Sequence, residues 1–192
     1  IIPFTHESKI ISIIKKNIQW SDSMIYSFRN SSFRDPETGV YNQMYFMEVF
    51  NREWHRHLRE KQSLALLYLC PHIHETVKQP HLLELFTNQV QEALLRATDL
   101  IARLDTNHFA LGLFNVDEQG TEVVLKRIDE QIKLFKEKYG KDHNFSIAYK
   151  LAGGICTPSD DKNIEALFVQ VESLSSKLEQ EHDQHQALIN IH

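Results

Sequence analysis

The distribution of apolar residues along the chain predicts alternating helices and strands. From Gln43 to Glu60, Tyr45, Phe46, Val49, Phe50, Trp54 and Leu58 recur at three- and four-residue steps, the spacing of a half-buried helix. The run SLALLYLC at 63–70 is short and continuously apolar, as expected of a strand covered on both faces. Helical spacing returns over 82–97, with Leu82, Leu83, Leu85, Phe86, Val90 and Leu94. Leu100–Leu104 and Phe109–Phe114 flank a polar break at 105–108 and read as a hairpin, although the break lacks an Asn-Gly or Gly pair. A charged amphipathic helix is expected over 121–138, a strand over Asn144–Cys156 with a Gly153-Gly154 pair, and a last helix over 162–182. The polar tail QEHDQHQ is expected to be a helix end or a loop.

Upstream, Ile10, Ile11, Ile13, Ile14 and Ile18 give 9–29 helical spacing over its first half, before the polar connector NSSFRDPETG, where Pro36 and Gly39 mark a turn. The domain boundary is therefore expected near residue 33, with a helical linker over 1–33 and the main domain over 34–192. The element order predicts an α/β (α+β) sandwich with a mixed central sheet flanked by helices.

Composition narrows the function. The chain has 192 residues, 42% hydrophobic and 24% charged, with a formal charge of −5. An acidic balance argues against duplex nucleic-acid binding but leaves room for a small anionic nucleotide held by local arginines. Cys70 and Cys156 form no CxxC pair, which points away from a zinc framework and towards a reducing compartment. No run of 18 apolar residues is present, so no membrane span is expected. The first residue is Ile, so the chain is expected to be a fragment, with any membrane contact made by parent regions outside it.

Three strings then stand in register. Asp35-Pro36-Glu37-Thr38-Gly39-Val40-Tyr41-Asn42 precedes the first core helix; LALLYL ends at Cys70; and Arg96-Ala97-Thr98-Asp99-Leu100-Ile101-Ala102-Arg103-Leu104 runs into Asp105-Thr106-Asn107-His108-Phe109. They resemble, respectively, the D-x-L-T-G-L-x-N opening (Glu37 replacing Leu), the first core strand, and the R-x-x-D-x-x-A-R and G-G-[DE]-E-F strings of the GGDEF family. The resemblance spans residues 35 to about 180. It implies the GGDEF, nucleotidyl-cyclase-like fold and the bacterial cytoplasm.

The departures bear on the chemistry. A diguanylate cyclase joins two GTP molecules with divalent ions held by carboxylates, and hard cations require oxygen ligands. The resemblance puts those carboxylates at positions that read Cys70 and Asn107 here, and the signature Glu at His108. Asp105 and Thr106 replace the two glycines that let backbone approach the triphosphate. The guanine-reading segment is Cys70-Pro71-His72-Ile73-His74-Glu75-Thr76-Val77-Lys78-Gln79-Pro80, shortened and without an Asn or Asp. Lys177 matches a phosphate-binding lysine, but the G-x-N that follows in the family is missing. The expectation is a degenerate active site (Cys70, Asp105, Thr106, Asn107, His108), no catalytic residue, no metal and no cofactor.

The resemblance also implies an inhibitory-type cyclic di-GMP site at Arg96 and Asp99. Asp99 lies six residues before Asp105, and Arg127, 18 residues past Phe109, falls where the family places a second arginine. Arginine forks onto guanine O6/N7 or phosphate, and Asp accepts from guanine N1 and N2 hydrogens. The bland alternative is a surface ion pair contributing little. Two other groups have bland readings. Cys70, His72 and His74 would share one face if they lay on a strand, but a partly exposed loop is expected; His55 and His57 are expected on the surface. Three functions compete: a cyclic di-GMP receptor, a nucleotide-independent interaction or dimerisation module, and a residual enzyme, against which the missing carboxylates argue. A protein partner or homodimer is expected, and no nucleic acid.

Overall fold

A computed structural model describes residues 33–140 and 145–192; the expected helix over 9–29 lies outside them, as does Asn144. Helix α1 spans Gln43–Glu60, as the periodicity predicts. Strand β1 (Leu64–Glu75), helix α2 (Leu82–Gln91), strands β2 (Leu100–Asp105) and β3 (His108–Phe114), helix α3 (Glu118–Tyr139), strand β4 (Phe145–Cys156), helix α4 (Ile164–Glu179) and strand β5 (Gln186–Ile191) follow. The helices begin at side-chain caps where the local sequence supplies them. Asn42, Asp117 and Asn163 accept from the backbone of α1, α3 and α4, satisfying donors that no helical carbonyl reaches.

The five strands are ordered β2-β3-β1-β4-β5, antiparallel except for the parallel β4–β5 pair, which makes the sheet mixed. Alternation along β1 decides the layers. Leu64, Leu66 and Tyr68 pack with α1 and α4; Ala65, Leu67 and Leu69 pack with α2 and α3. The result is three layers, helices over both faces of the sheet, which is why 63–70 reads as an unbroken apolar run.

Three expectations need correction. Strand β1 does not end at Cys70 but continues to Glu75, paired with β4 out to Glu75↔Phe145, while its pairing with β3 stops at Leu69↔Phe109. Residues 71–75 are thus a two-stranded arm and not a loop, and Pro71 is tolerated because only one neighbouring strand remains there. Helix α2 stops at Gln91, and residues 92–99 are turns and extended connector, not its continuation. The polar tail QEHDQHQ is irregular over 180–185 as expected, and only its last residue, Gln186, departs, opening the parallel edge strand β5, Leu151↔Gln186 through Cys156↔Ile191. The residues of β5 are mostly half-buried, so they lack the alternation that announces a strand.

The glycine pair has a packing role. A Cβ at Gly154 would lie 2.6 Å from Val171 Cγ2 and 3.2 Å from Leu167 Cδ1, both on α4. Gly154→Ala is therefore expected to destabilise by about 1–3 kcal/mol through overpacking. Gly140→Ala, where an added Cβ meets nothing within 4 Å, should leave stability nearly unchanged. Urea denaturation of both checks this, and equal midpoints would remove the packing argument.

Candidate functional site

Two polar clusters sit at opposite ends of β2. The first surrounds the β2–β3 turn. Asp35 organises the chain before α1: its Oδ2 accepts from the Thr38 amide at 2.9 Å and from the Thr38 hydroxyl at 2.7 Å, and Gly39 takes φ +79°. Arg103 joins this turn to the hairpin. Its guanidinium donates to Asp35 Oδ2 at 3.2 Å, pairs with Glu37 Oε1 at 3.1 Å, and donates to the carbonyls of Asp105 and Thr106 at 3.2 and 2.9 Å. Burial pushes the Asp35 carboxyl up, but the Thr38 hydrogen bonds and Arg103 outweigh it and hold it below the usual range. Glu37, a departure from the family string, is thus a second carboxylate on one arginine. Arg103 stands inside R-x-x-D-x-x-A-R, yet only the tertiary contacts assign it this clamping part.

At the hairpin tip the substituted residues bond to one another. Asp105 Oδ1 accepts from the Asn107 amide at 2.9 Å and lies 2.7 Å from His108 Nδ1. Neither Thr106 nor Asn107 has positive φ, so the turn is held by this side-chain hydrogen bond in place of glycine geometry. The β1–β3 register, continued one step past Leu69↔Phe109, sets Cys70 across from His108. Cys70 is 2% exposed, with Sγ 3.5 Å from Ser175 Oγ on α4. The Cys70 sulfur first, then Asp105, raise the His108 pKa to about 9 against the opposing effect of burial.

Beside the tip lies a cleft of about 730 Å³, walled by the β1 arm and the start of α2. Carboxylates Glu37, Glu75 and Glu84 line it together with Lys78, Arg103, Thr106 and Asn107. Glu84 faces His81 at 3.2 Å. Lys177 is exposed on the last turn of α4 and is not among the lining residues. His72 lies on the strand and pairs with Glu179 at 2.9 Å, while His74 is exposed. Cys70, His72 and His74 do share strand parity, but among the described residues no group of three His, Cys, Asp or Glu side chains is arranged to hold a metal ion.

The second cluster joins Arg96 to Asp99 at the start of β2. Asp99 N–H donates to the Arg96 carbonyl at 3.0 Å, and Arg96 N–H donates to Asp99 Oδ2 at 3.0 Å, so the R-x-x-D spacing closes its own reciprocal turn. Arg96 Nη1 donates to the Asn115 carbonyl at 3.1 Å. Asp99 is half-buried; burial pushes its carboxyl up, opposed by the Arg96 amide and the charges of Arg96 and Arg127. Arg127, on α3, acts on Asp99 through its charge, and its Nε is buried without a hydrogen-bond partner. An unmet buried donor is costly, and a ligand acceptor would relieve it.

His57 departs most from expectation. It is not on the surface but 0% exposed, hydrogen bonded on both ring nitrogens, whereas His55 is exposed. Its place among the apolar positions of α1 was legible only as a polar residue three after Trp54.

A family model described as "Diguanylate cyclase, GGDEF domain" matches residues 32–185. Among solved structures, the chain is similar to the Vibrio cholerae LapD S helix-GGDEF-EAL structure bound to c-di-GMP, at 12% identity and TM-score 0.63, covering 90% of this chain and 40% of that one. Diguanylate cyclase SiaD from Pseudomonas aeruginosa, in complex with its activator SiaC, shares 16% identity at TM-score 0.66, with 95% and 71% covered. The coiled coil and GGDEF domain of Caulobacter crescentus DgcB, in complex with c-di-GMP, shares 9% at 0.61, with 93% and 96% covered. No curated protein sequence matches. At these identities the structures show a common fold, and the chain spans 40% of the LapD structure.

The His108 pairing makes a direct prediction. Its raised pKa belongs to the folded state, so the protonated ring contributes stability that is complete below pH 6.5 and is lost as pH rises through about 9. A histidine NMR titration should place His108 near 9, and Cys70→Ala should bring the midpoint down towards 6.5. An unmoved midpoint would detach the shift from Cys70.

Proposed function

The chain belongs to the GGDEF family of diguanylate cyclases, and from that premise we propose that it no longer synthesises cyclic di-GMP but binds it, through Arg96, Asp99 and Arg127. The observation that carries this reading is the reciprocal Arg96–Asp99 turn, with the charge of Arg127 acting on Asp99 and the Arg127 Nε buried without a hydrogen-bond partner. Two arginines fork onto the phosphates or the guanine O6/N7 edge, and the Asp99 carboxylate accepts from guanine N1 and N2 hydrogens. The c-di-GMP complexes of LapD and DgcB support the ligand class.

The loss of synthesis follows from donor chemistry. Joining two GTP molecules requires divalent ions on oxygen ligands to offset triphosphate charge. Cys70 offers a buried soft sulfur and Asn107 an exposed uncharged amide. Asp105 is engaged by His108 and the Asn107 amide, and Arg103 by Asp35 and Glu37. Residues of this kind do not fit a magnesium-triphosphate site.

A second reading is a nucleotide-independent docking module. Leu95, 66% exposed, adjoins Arg96, and Val123, 51% exposed, lies one helical turn before Arg127, which gives the same surface apolar contact area. SiaD, which is seen with a protein activator, supports this class. The bacterial cytoplasm is the compartment both readings imply; its reducing conditions suit the two free buried cysteines. Among the described residues no helix is long and apolar enough to cross a membrane.

Calorimetric titration of cyclic di-GMP tests the receptor reading. Saturable binding is expected, weakened about 10- to 100-fold by Arg96→Ala or Arg127→Ala, each of which removes charge-assisted hydrogen bonds. Absence of heat and of thermal shift leaves the docking reading. With GTP and magnesium or manganese, no product is expected; turnover would overturn the loss of catalysis.

A further inference from the structure

Strand β1 has an open edge beside the cleft at the hairpin tip. Its pairing with β3 ends at Leu69↔Phe109, whereas its pairing with β4 runs unbroken to Glu75↔Phe145. Two backbone hydrogen bonds fix which groups face the open side. The Val116 N–H donates to the Ser63 carbonyl, so Ser63 faces the β3 side. The Leu151 N–H donates to the His185 carbonyl, so Leu151 turns towards β5 and its β1 partner, Leu69, turns away from β4. Successive residues of a strand bond to opposite sides. Cys70, His72 and His74 therefore face β4, while Pro71, Ile73 and Glu75 face the edge that β3 has left. Pro71 breaks no ladder bond, because its missing N–H is on the open side. Ile73 and Glu75 each present an N–H and a carbonyl there, and among the described residues no strand pairs with them on that side.

The same three residues line the cleft of about 730 Å³, and the start of α2 walls it. A strand edge facing a helix across a groove is an arrangement into which an extended peptide adds as a further strand: main-chain bonds supply affinity, and alternate side chains enter the groove. The groove has an apolar wall in Ile73, Leu82 and Leu83, and its carboxylates, Glu37, Glu75 and Glu84, outnumber its cations, Lys78 and Arg103. Arg103 is moreover already paired with Asp35 and Glu37. That lining complements an apolar and a basic side chain two residues apart, hence on one face of the incoming strand. The edge is also held ready. Beyond Leu69 the arm is paired with β4, and His72 on its other face pairs with Glu179 of α4 at 2.9 Å, so little order is lost on binding.

We propose that the open edge of β1 takes an extended peptide of a partner protein, added antiparallel against Ile73 and Glu75, with an apolar and a basic side chain turned into the cleft. The antiparallel direction continues the line of β3 and is the more stable pairing. This site is separate from Arg96 and Asp99 and does not rest on the cyclic di-GMP reading.

The probe is the capped peptide acetyl-Ser-Thr-Leu-Thr-Arg-Thr-Ser-amide, titrated into the 15N-labelled whole chain and followed by NMR. The Ile73 and Glu75 amides should shift and gain protection from hydrogen exchange, while the His72 and His74 amides, facing β4, are protected before and after. In antiparallel addition the peptide's leucine bonds the arm and its central threonine points away. Methylating the leucine nitrogen should weaken binding about tenfold, and methylating the central threonine nitrogen less than about twofold. Glu84→Lys should weaken binding about three- to tenfold and restore it for the same peptide with glutamate in place of arginine. Unmoved Ile73 and Glu75 amides at millimolar peptide, equal losses from the two methylations, or the same shifts from arginine amide alone would overturn strand addition. Shifts of these amides on concentrating the chain without peptide would overturn it too, in favour of a second copy on the same edge.

Discussion

The structure depends on β1 being buried from both sides. Each leucine fully removed from water contributes about 1.5–3 kcal/mol, and β1 supplies such side chains alternately to the α1/α4 layer and the α2/α3 layer. Neither helical pair covers an apolar surface without this strand between them. The Gly153-Gly154 pair on β4 answers the same demand, because the space a Cβ would need is filled by Leu67 and Leu188 at Gly153 and by Val171 at Gly154. Once the core is closed in this way, the polar ends of β1, β2 and β3 are set without further choice.

The two ends of β2 differ in how their polar groups are bonded. Beyond Leu69, β1 leaves β3 and runs on with β4 as an arm, and the hairpin tip beside it satisfies its own polar groups: Asp105 with His108 and the Asn107 amide, Arg103 with two carboxylates and two carbonyls. Little bonding capacity is left there for a phosphate or a metal ion. At the other end of β2, about 20 Å away for a six-residue strand, the 96–99 turn closes on itself but a buried Arg127 Nε stays unpaired. A strand of this length keeps the bonding of the two loci independent.

His57 shows how the interior ties α1 to the end of β3. Helix α1 contributes Phe46, Phe50 and Trp54 to the core, and the same buried face carries an imidazole whose two nitrogens bond backbone groups of different elements. A buried polar ring with both nitrogens satisfied rigidifies what it touches, here the left-handed Asn115.

Residue spacing alone gave α1 with its observed bounds, the hairpin, and the layers of helices around a mixed sheet, because helical period, strand burial and local turn chemistry are short-range properties. Strand β5, the β1 arm, the Arg103 clamp and the burial of His57 were not legible in it. Each depends on partners far along the chain: Gln186 on Leu151, Glu75 on Phe145, Arg103 on Asp35, His57 on Asn115. Local periodicity tells which face of an element is covered. What covers it, and which polar groups find each other there, is decided only when the layers close.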